Sequence, residues 1–393
     1  MRNFISENVN SLAPSGIRQV MEKALEMERK GEKVYHFEVG RPDFDTPEYI
    51  KDACIKSIEE GNVFYTSNFG TDELRIAVSN KLKKENGLNY EKNEILITAG
   101  LSEAVFDILL TILGEGDELL VPDPGWINYI NVPVLFKANP VPYNLLEKND
   151  FQIDIDELEE KVSEKTKAIV IISPSNPTGG VLAAQTLEKI AEFAKKHDLM
   201  VISDEIYERI IYDDAKHLSI GSMPGMKERT ITLNGFSKAY SMTGWRLGYI
   251  AAPEHFIKAF NKVHQHNTSC ATSFVQKAGV VALTEEKEEV NDMVKEYKRR
   301  RDYLVEKVNF IEGLSVNSPK GAFYSFINIS KLGITCEEFC NRLIDEAKVA
   351  CVPGTVFGEG GRDFIRMSYA NSYENIVKGL EEVEKLVKNI LDN

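Results

Sequence analysis

The sequence predicts an α/β fold, in which a large domain with a mostly parallel central sheet flanked by helices is joined to a smaller α+β domain. Short apolar runs alternate with amphipathic stretches through the middle of the 393-residue chain, and strands separated by helices are typical of parallel sheets. Residues 167–172 are apolar throughout their centre, as in a strand buried on both faces. After about residue 283 long charged helices dominate, which indicates a second unit.

The elements of the large domain follow the apolar and amphipathic runs in chain order. Strands are predicted at residues 95–98, 118–121, 167–172, 200–203, 230–233 and 247–252, and helices at 102–113 and 186–197. The later part predicts a helix over 285–308, a strand over 321–327, a helix near 336–346, a strand over 364–368 and a final charged helix. We therefore expect a large domain at 46–283 and a small domain built from 1–45 and 284–393.

Polar or flexible residues follow several of the predicted strands at the point where each strand ends. Gly100, Asn176, Asp204 and Lys238 each come a few residues after an apolar run. In open α/β sheets, ligands bind at the carboxyl ends of the strands. These four positions are therefore expected to meet at one site.

The composition excludes several classes of function. Hydrophobic residues make up 43% of the chain and the formal net charge is −14, so binding to nucleic acid or to an anionic membrane is not expected. The N-terminal residues do not resemble a signal peptide, and no apolar run approaches the length of a membrane span. Five scattered cysteines fit reduced thiols, and the expected location is the cytoplasm.

Two segments carry residue types suited to an aldehyde and a phosphate. Lys238 lies eight residues before Arg246; a lysine amine condenses with aldehydes, and an arginine fork binds phosphate bidentately. The alternative is a pair of surface residues in a Ser/Gly loop. Gly100, Leu101 and Ser102 join a strand to a helix, where free N–H groups bind phosphate or where Ser102 simply caps the helix.

Three further positions have a structural and a functional interpretation. Asp204 and Tyr207 follow a buried strand, where an aspartate is also a common helix cap. Asn176 lies in a Pro/Gly-rich turn, which favours asparagine in any protein. Arg366 stands inside an apolar strand, and a buried arginine needs an anion, either a structural carboxylate or a ligand.

From Gly40 to Ala370 these segments, in this order, resemble the fold-type I, pyridoxal-phosphate-dependent aminotransferases of class I/II, nearest their prokaryotic aspartate-type subgroup. The resemblance implies pyridoxal 5'-phosphate as cofactor, held by Lys238 as a Schiff base, and an amino acid and a 2-oxo acid such as 2-oxoglutarate as substrates. It implies that Lys238 is the catalytic base, that Asp204 keeps the ring nitrogen protonated and that Tyr207 binds the ring's phenolic oxygen.

The resemblance also assigns the remaining site residues. It implies phosphate binding by Gly100, Leu101, Ser102, Ser237 and Arg246, ring stacking by Trp126, contact with the phenolic oxygen by Asn176, and binding of the substrate carboxylate by Gly40, Asn176 and Arg366. Tyr65 matches a tyrosine that reaches the phosphate of the neighbouring subunit. A homodimer with shared active sites is therefore expected.

The substrate range departs from the subgroup in one respect. Ser102 occupies a position where aspartate enzymes of this subgroup often carry a lysine for the distal carboxylate, and a hydroxyl cannot supply that charge. Activity is therefore expected on several neutral or aromatic amino acids besides, or instead of, aspartate.

The alternatives to an aminotransferase are a C–S β-lyase or another fold-type I enzyme, and a non-catalytic regulator that binds the same cofactor.

Two basic segments are interpreted as structural. His264 and His266 have no companion ligands nearby in the sequence, so no metal site is predicted. The run from Lys298 to Arg301 predicts a solvated helix face.

Overall fold

The computed structural model describes residues 4–12, 14–285 and 288–392. Its central sheet has seven strands. The strands of the chain are β1 (Tyr35–His36), β2 (Ile95–Thr98), β3 (Glu118–Asp123), β4 (Asn139–Asn144), β5 (Thr166–Ile172), β6 (Met200–Asp204), β7 (Thr230–Gly235), β8 (Gly248–Ala251), β9 (Tyr324–Asn328), β10 (Val349–Ala350), β11 (Val352–Pro353) and β12 (Phe364–Ser368). The order in the large sheet is β2-β8-β7-β6-β5-β3-β4. Only β8 runs antiparallel to its neighbours, so the predicted mostly parallel sheet is confirmed.

The helices alternate with these strands along the chain. They are α1 (Glu7–Asn10), α2 (Gly16–Arg29), α3 (Glu48–Glu59), α4 (Asp72–Lys81), α5 (Leu101–Ile112), α6 (Asn128–Val134), α7 (Ile155–Lys161), α8 (Ala184–Lys196), α9 (Glu254–Asn267), α10 (Ser273–Thr284), α11 (Glu289–Phe310), α12 (Cys336–Glu346) and α13 (Tyr373–Leu391). A π-helical turn, Leu82–Asn86, extends α4. Across the described residues, no helix combines the length and the apolar character needed to cross a bilayer.

Successive residues of β5 explain why helices cover both faces of the sheet. Ile169 and Ile171 point into the core that contains α8, whereas Val170 and Ile172 point into the core that contains α5 and α9. Side chains alternate across a strand, so an unbroken apolar strand requires apolar partners on either side. The sheet thus holds the carboxyl ends of β5, β6 and β7 side by side.

The later part of the chain forms a three-stranded antiparallel sheet in the order β11-β12-β9. The short strand β1 pairs in parallel with β10, which brings the loop after β1 next to this sheet. The division into domains at 46–283 and at 1–45 with 284–393 stays a prediction.

Most predicted elements lie within a few residues of the observed ones, with one correction in α11. The predicted helix over 285–308 is observed as Glu289–Phe310, and residues 286 and 287 fall outside the described part. The prediction of a solvated face at Lys298–Arg301 is wrong for two of its residues. Arg300 and Arg301 are buried and pair with Asp43 and Asp213, respectively, at 2.7 Å. A buried guanidinium needs such a partner, and both partners lie far away in the sequence.

Candidate active site

Lys238 lies in the turn after β7 and points towards the loop that follows β1. Its Nζ donates a hydrogen bond of 2.6 Å to the carbonyl oxygen of Gly40. The same Nζ lies 5.5 Å from the ring centre of Tyr207 and 5.7 Å from that of Phe323. Burial and the charge of Arg366 lower the pKa of Lys238 to about 8. A substantial fraction of this amine is therefore neutral, and nucleophilic, near physiological pH.

Asp204 ends β6 and is buried beside an unpredicted partner. The hydroxyl of Tyr129, on α6, donates a hydrogen bond of 2.9 Å to Oδ2 of Asp204. Burial raises the pKa of Asp204 to about 6, and the hydrogen bond from Tyr129 limits the rise. The carboxylate is therefore charged at neutral pH and is held in one orientation.

Arg366, on β12, is 1% exposed and has no carboxylate within ion-pair distance in the described part of the chain. Its Nη1 donates to Oδ1 of Asn176 at 3.0 Å, and its Nη2 donates to the carbonyl oxygen of Glu38 at 2.5 Å. Its Nε has no hydrogen-bond acceptor among residues 4–12, 14–285 and 288–392. A buried cation with an unsatisfied donor is costly, so this guanidinium fits an anionic ligand.

Tyr207 and Tyr324 share a hydrogen bond between Lys238 and Arg366. Their hydroxyl oxygens lie 2.8 Å apart, and the Arg366 guanidinium lies 4.6 Å from the Tyr324 ring centre. Burial raises the pKa of Tyr207 well above its ordinary value, so its hydroxyl stays protonated and can donate. The pair places two hydroxyl groups next to the lysine amine.

The N-terminus of α5 forms a cradle of backbone donors. Gly100 is the residue before the helix, with φ of 83° and no capping side chain, and Leu101 and Ser102 follow in the first turn. An added Cβ at Gly100 would lie 2.5 Å from Nη2 of Arg246, so the guanidinium lies directly against this glycine. Free N–H groups of a helix N-terminus with an adjacent arginine suit a phosphate.

Three predicted site residues lie at the edges of this constellation. Ser237 is buried next to Lys238. Trp126 follows β3, is half-buried, and its carbonyl oxygen accepts the N–H of Tyr129 at 3.1 Å. Tyr65 is different: its side chain is 91% exposed, and the structure of a single chain does not bring it to Lys238.

Sequence analysis missed Tyr129 and Tyr324, which hold Asp204 and Tyr207. Tyr129 comes only three residues after Trp126, a predicted site residue, and that closeness in the sequence was a usable signal. Tyr324 lies in a segment predicted only as a strand, and its partner Tyr207 is 117 residues away. No local pattern reports such a contact.

Comparison with known proteins agrees with this geometry. The profile of the family "Aminotransferase class I and II" matches residues 32–383. The chain belongs to this family. It is therefore an aminotransferase and catalyses transamination, as the sequence predicted, and no comparison favours the lyase alternative.

The curated relatives span nearly the whole chain. An aspartate aminotransferase of Pyrococcus abyssi is 43% identical over 387 residues, which are 98% of this chain and 98% of the relative. An aromatic-amino-acid aminotransferase 2 of Thermococcus litoralis is 41% identical, again over 98% of each chain. Among solved structures, an aspartate aminotransferase from Thermus thermophilus with maleate superposes with a TM-score of 0.94 at 36% identity, covering 98% of this chain and all of that one.

Proposed function

We propose that this aminotransferase uses pyridoxal 5'-phosphate and transfers the amino group of several neutral or aromatic L-2-amino acids, besides or instead of aspartate, to a 2-oxo acid such as 2-oxoglutarate. The observation that carries the proposal is the buried Arg366, whose Nε is unsatisfied and which lies in the same constellation as Lys238 and Asp204. A 2-amino acid has the carboxylate that this guanidinium lacks.

Three features support the cofactor. The Gly100 cradle and Arg246 suit its phosphate, and Lys238, with a pKa lowered to about 8, suits its aldehyde. Asp204, buried and held by Tyr129, suits a protonated ring nitrogen. When bound, pyridoxal phosphate supplies an electron-withdrawing ring that stabilises the negative charge developing at the substrate's α carbon.

The residues of the chain would divide the remaining work. Arg366 binds the substrate carboxylate and, with Asn176, fixes its orientation, which points the Cα–H bond at the lysine. Nζ of Lys238 accepts that proton as a neutral amine, because its pKa is close to the working pH. Tyr207 would donate its hydroxyl hydrogen to the phenolic oxygen of the cofactor ring, and the Tyr324 hydroxyl would keep Tyr207 in position.

Assembly as a homodimer with shared sites is part of the proposal. Tyr65 and its neighbour Phe64 are 91% and 81% exposed, and adjacent exposed aromatic side chains are typical of surfaces that a partner covers. In such a dimer Tyr65 would serve the phosphate site of the other subunit.

The substrate range rests on Ser102 and on the relatives. Ser102 lies in the first turn of α5 and has no charge for a distal carboxylate. Relatives of similar identity are named for aspartate and for aromatic amino acids, so family membership alone does not select the substrate.

Borohydride trapping tests the cofactor. Reduction of the protein loaded with pyridoxal phosphate, followed by peptide mapping, should label Lys238. The Lys238→Ala variant should carry no label, and the control Lys216→Ala, at an exposed lysine, should label normally. A label on another lysine would overturn the assignment.

An amino-acid panel tests the reaction. Formation of glutamate from 2-oxoglutarate should accompany loss of phenylalanine, tyrosine, alanine or aspartate. Pyruvate and sulfide released from cysteine without glutamate formation would contradict transamination as the main reaction.

A further inference from the structure

A buried charged cluster lies behind the N-terminal turn of α5. His264, on α9, is fully buried, and its Nδ1 lies 2.9 Å from Oε1 of Glu103 and 3.5 Å from Oδ2 of Asp107. Both carboxylates belong to α5 and come three and seven residues after Gly100. These are companions that the sequence did not reveal for His264, because they lie about 160 residues away.

Glu103 creates an electrostatic problem for a phosphate site. It stands in the first turn of the helix whose N–H groups form the cradle, and a carboxylate there repels a bound dianion. In the structure its Oε2 turns back and accepts the N–H of Ala99, immediately before Gly100. The carboxylate thus holds the cradle's backbone, but its charge remains.

We propose that His264 is a positioning residue for the cofactor's phosphate: as an imidazolium it holds Glu103 against the Ala99 N–H and cancels the charge of that carboxylate. The inference rests on the proposed use of pyridoxal phosphate. His264 touches no reacting atom, and its role is to set the affinity of the cradle for an anion.

The protonation of His264 follows from its surroundings. Burial alone would lower the pKa of His264, but the carboxylates of Asp107 and Glu103 raise it to about 9. Helix α9 also packs on β2, which has no titratable side chain, and on the turn Lys92–Glu94. The charged side chains of that turn are paired elsewhere, with Asp72 and Lys227.

The test compares two ligands that differ only in phosphate. Pyridoxamine 5'-phosphate and pyridoxamine have no aldehyde, so neither condenses with Lys238, and the apoprotein's fluorescence reports their binding. In His264→Gln the phosphorylated ligand should bind about tenfold more weakly at pH 7, as for loss of a charge-assisted hydrogen bond. Binding of pyridoxamine should not change, whereas general damage to the site would weaken both ligands.

The pH profile gives a second readout. Wild-type affinity for the phosphorylated ligand should fall as the pH rises through about 9, where His264 loses its proton, and the His264→Gln variant should lack this step. His266→Gln, at an exposed histidine two residues further along α9, is the matched control and should behave as wild type.

The double variant keeps the test decisive if His264→Gln is unstable. Glu103→Gln removes the charge that His264 cancels and keeps an oxygen for the Ala99 N–H, so Glu103→Gln/His264→Gln should bind the phosphorylated ligand nearly as wild type does. Equal binding by His264→Gln and wild type at every pH, or no recovery in the double variant, would overturn the inference. If either of these outcomes is found while borohydride still traps pyridoxal phosphate at Lys238 of the wild type, the inference fails and the proposed function stands. A wild-type protein that binds neither ligand contradicts the proposed function itself.

Discussion

The hydroxyl of Tyr129 lies 2.9 Å from Oδ2 of Asp204, and both side chains are buried beneath the candidate active site. The hydrogen bond favours the charged form of the aspartate, against the effect of burial, which raises the pKa of Asp204 to about 6. The charge on which the proposed ring chemistry depends is therefore maintained by a residue that need not touch the substrate.

Replacing Tyr129 by phenylalanine should shift the acid limb of the activity profile. Without its donor, the pKa of Asp204 should rise further, by about one unit for the loss of a hydrogen bond to a charged group. The rate should therefore begin to fall at a higher pH than in wild type, while Asp204→Asn should lose most activity, at least about a hundredfold, at every pH. The measurement is kcat against pH.

The control for this prediction is Tyr143→Phe. Tyr143 is also buried and donates its hydroxyl to the carbonyl oxygen of Val170, away from Asp204. It should lower stability without moving the acid limb. An unchanged pH profile in Tyr129→Phe would show that Tyr129 does not lower the pKa of Asp204 in the working enzyme.

Gly100→Ala should weaken cofactor binding because the new methyl group displaces Arg246. Gly100 has φ of 83°, and its Cβ would lie 2.5 Å from Nη2 of Arg246. Gly116→Ala is the control: φ is 85°, but no atom of the residues that the structure describes lies within 4 Å of the added Cβ, its chain neighbours aside. Both variants should lose about 1–2 kcal/mol of stability from the left-handed backbone, but only Gly100→Ala should release pyridoxal phosphate on dialysis. Equal retention by the two would contradict a phosphate site at this glycine.

The apoprotein's stability should respond to the titration of Lys238. The pKa of Lys238 is lowered from its ordinary value of 10.5 to about 8, so between these values the unfolded chain binds the proton and the folded chain does not. Stability from this group therefore rises with pH over that window. Relative to Lys238→Met, the free energy of unfolding of wild type should increase from pH 8 to pH 10, as measured by urea unfolding. If the free energies of unfolding of the two proteins differ by the same amount at every pH, burial does not destabilise the protonated amine of Lys238.

Charge added at residue 102 should change substrate preference in one direction. Ser102→Lys should raise kcat/KM for aspartate over that for phenylalanine by about tenfold, because a cation at this position attracts the distal carboxylate. Ser102→Gln, which is long but neutral, should not change this preference. Wild-type activity confined to dicarboxylic substrates would refute the expected range.

Arg366→Lys should lower kcat/KM for aspartate, alanine and phenylalanine alike, because a point charge does not replace a bidentate fork.

Mixed dimers test the proposed role of Tyr65. If Tyr65 serves the other subunit, then a Tyr65→Ala chain paired with a Lys238→Ala chain has one intact site. Random reassembly of equal amounts should recover about a quarter of wild-type activity, since half of the dimers are mixed and each has one working site. Phe64→Ala in place of Tyr65→Ala serves as the control chain. No recovery would indicate that each site is built within one subunit.

The sequence predicted those features that depend on local pattern. Helix α12 is observed at the predicted residues 336–346, and Thr335 caps it by accepting the N–H of Glu338. The convergence of Asp204 and Lys238 was predictable because parallel strands end at one edge of the sheet. The buried states of Arg300, Arg301 and His264 were not, since each depends on carboxylates contributed by distant segments.

The pairing of β1 with β10 has a consequence for how the enzyme is made. The guanidinium of Arg366 donates to the carbonyl oxygen of Glu38, 328 residues earlier, and β1 can pair only when β10 exists. Synthesis proceeds from the N-terminus, so Lys238, Asp204 and the α5 cradle are all made before Arg366. In the proposed function, a nascent chain therefore has the residues that would hold the cofactor before it has the arginine that would bind the carboxylate of an amino acid.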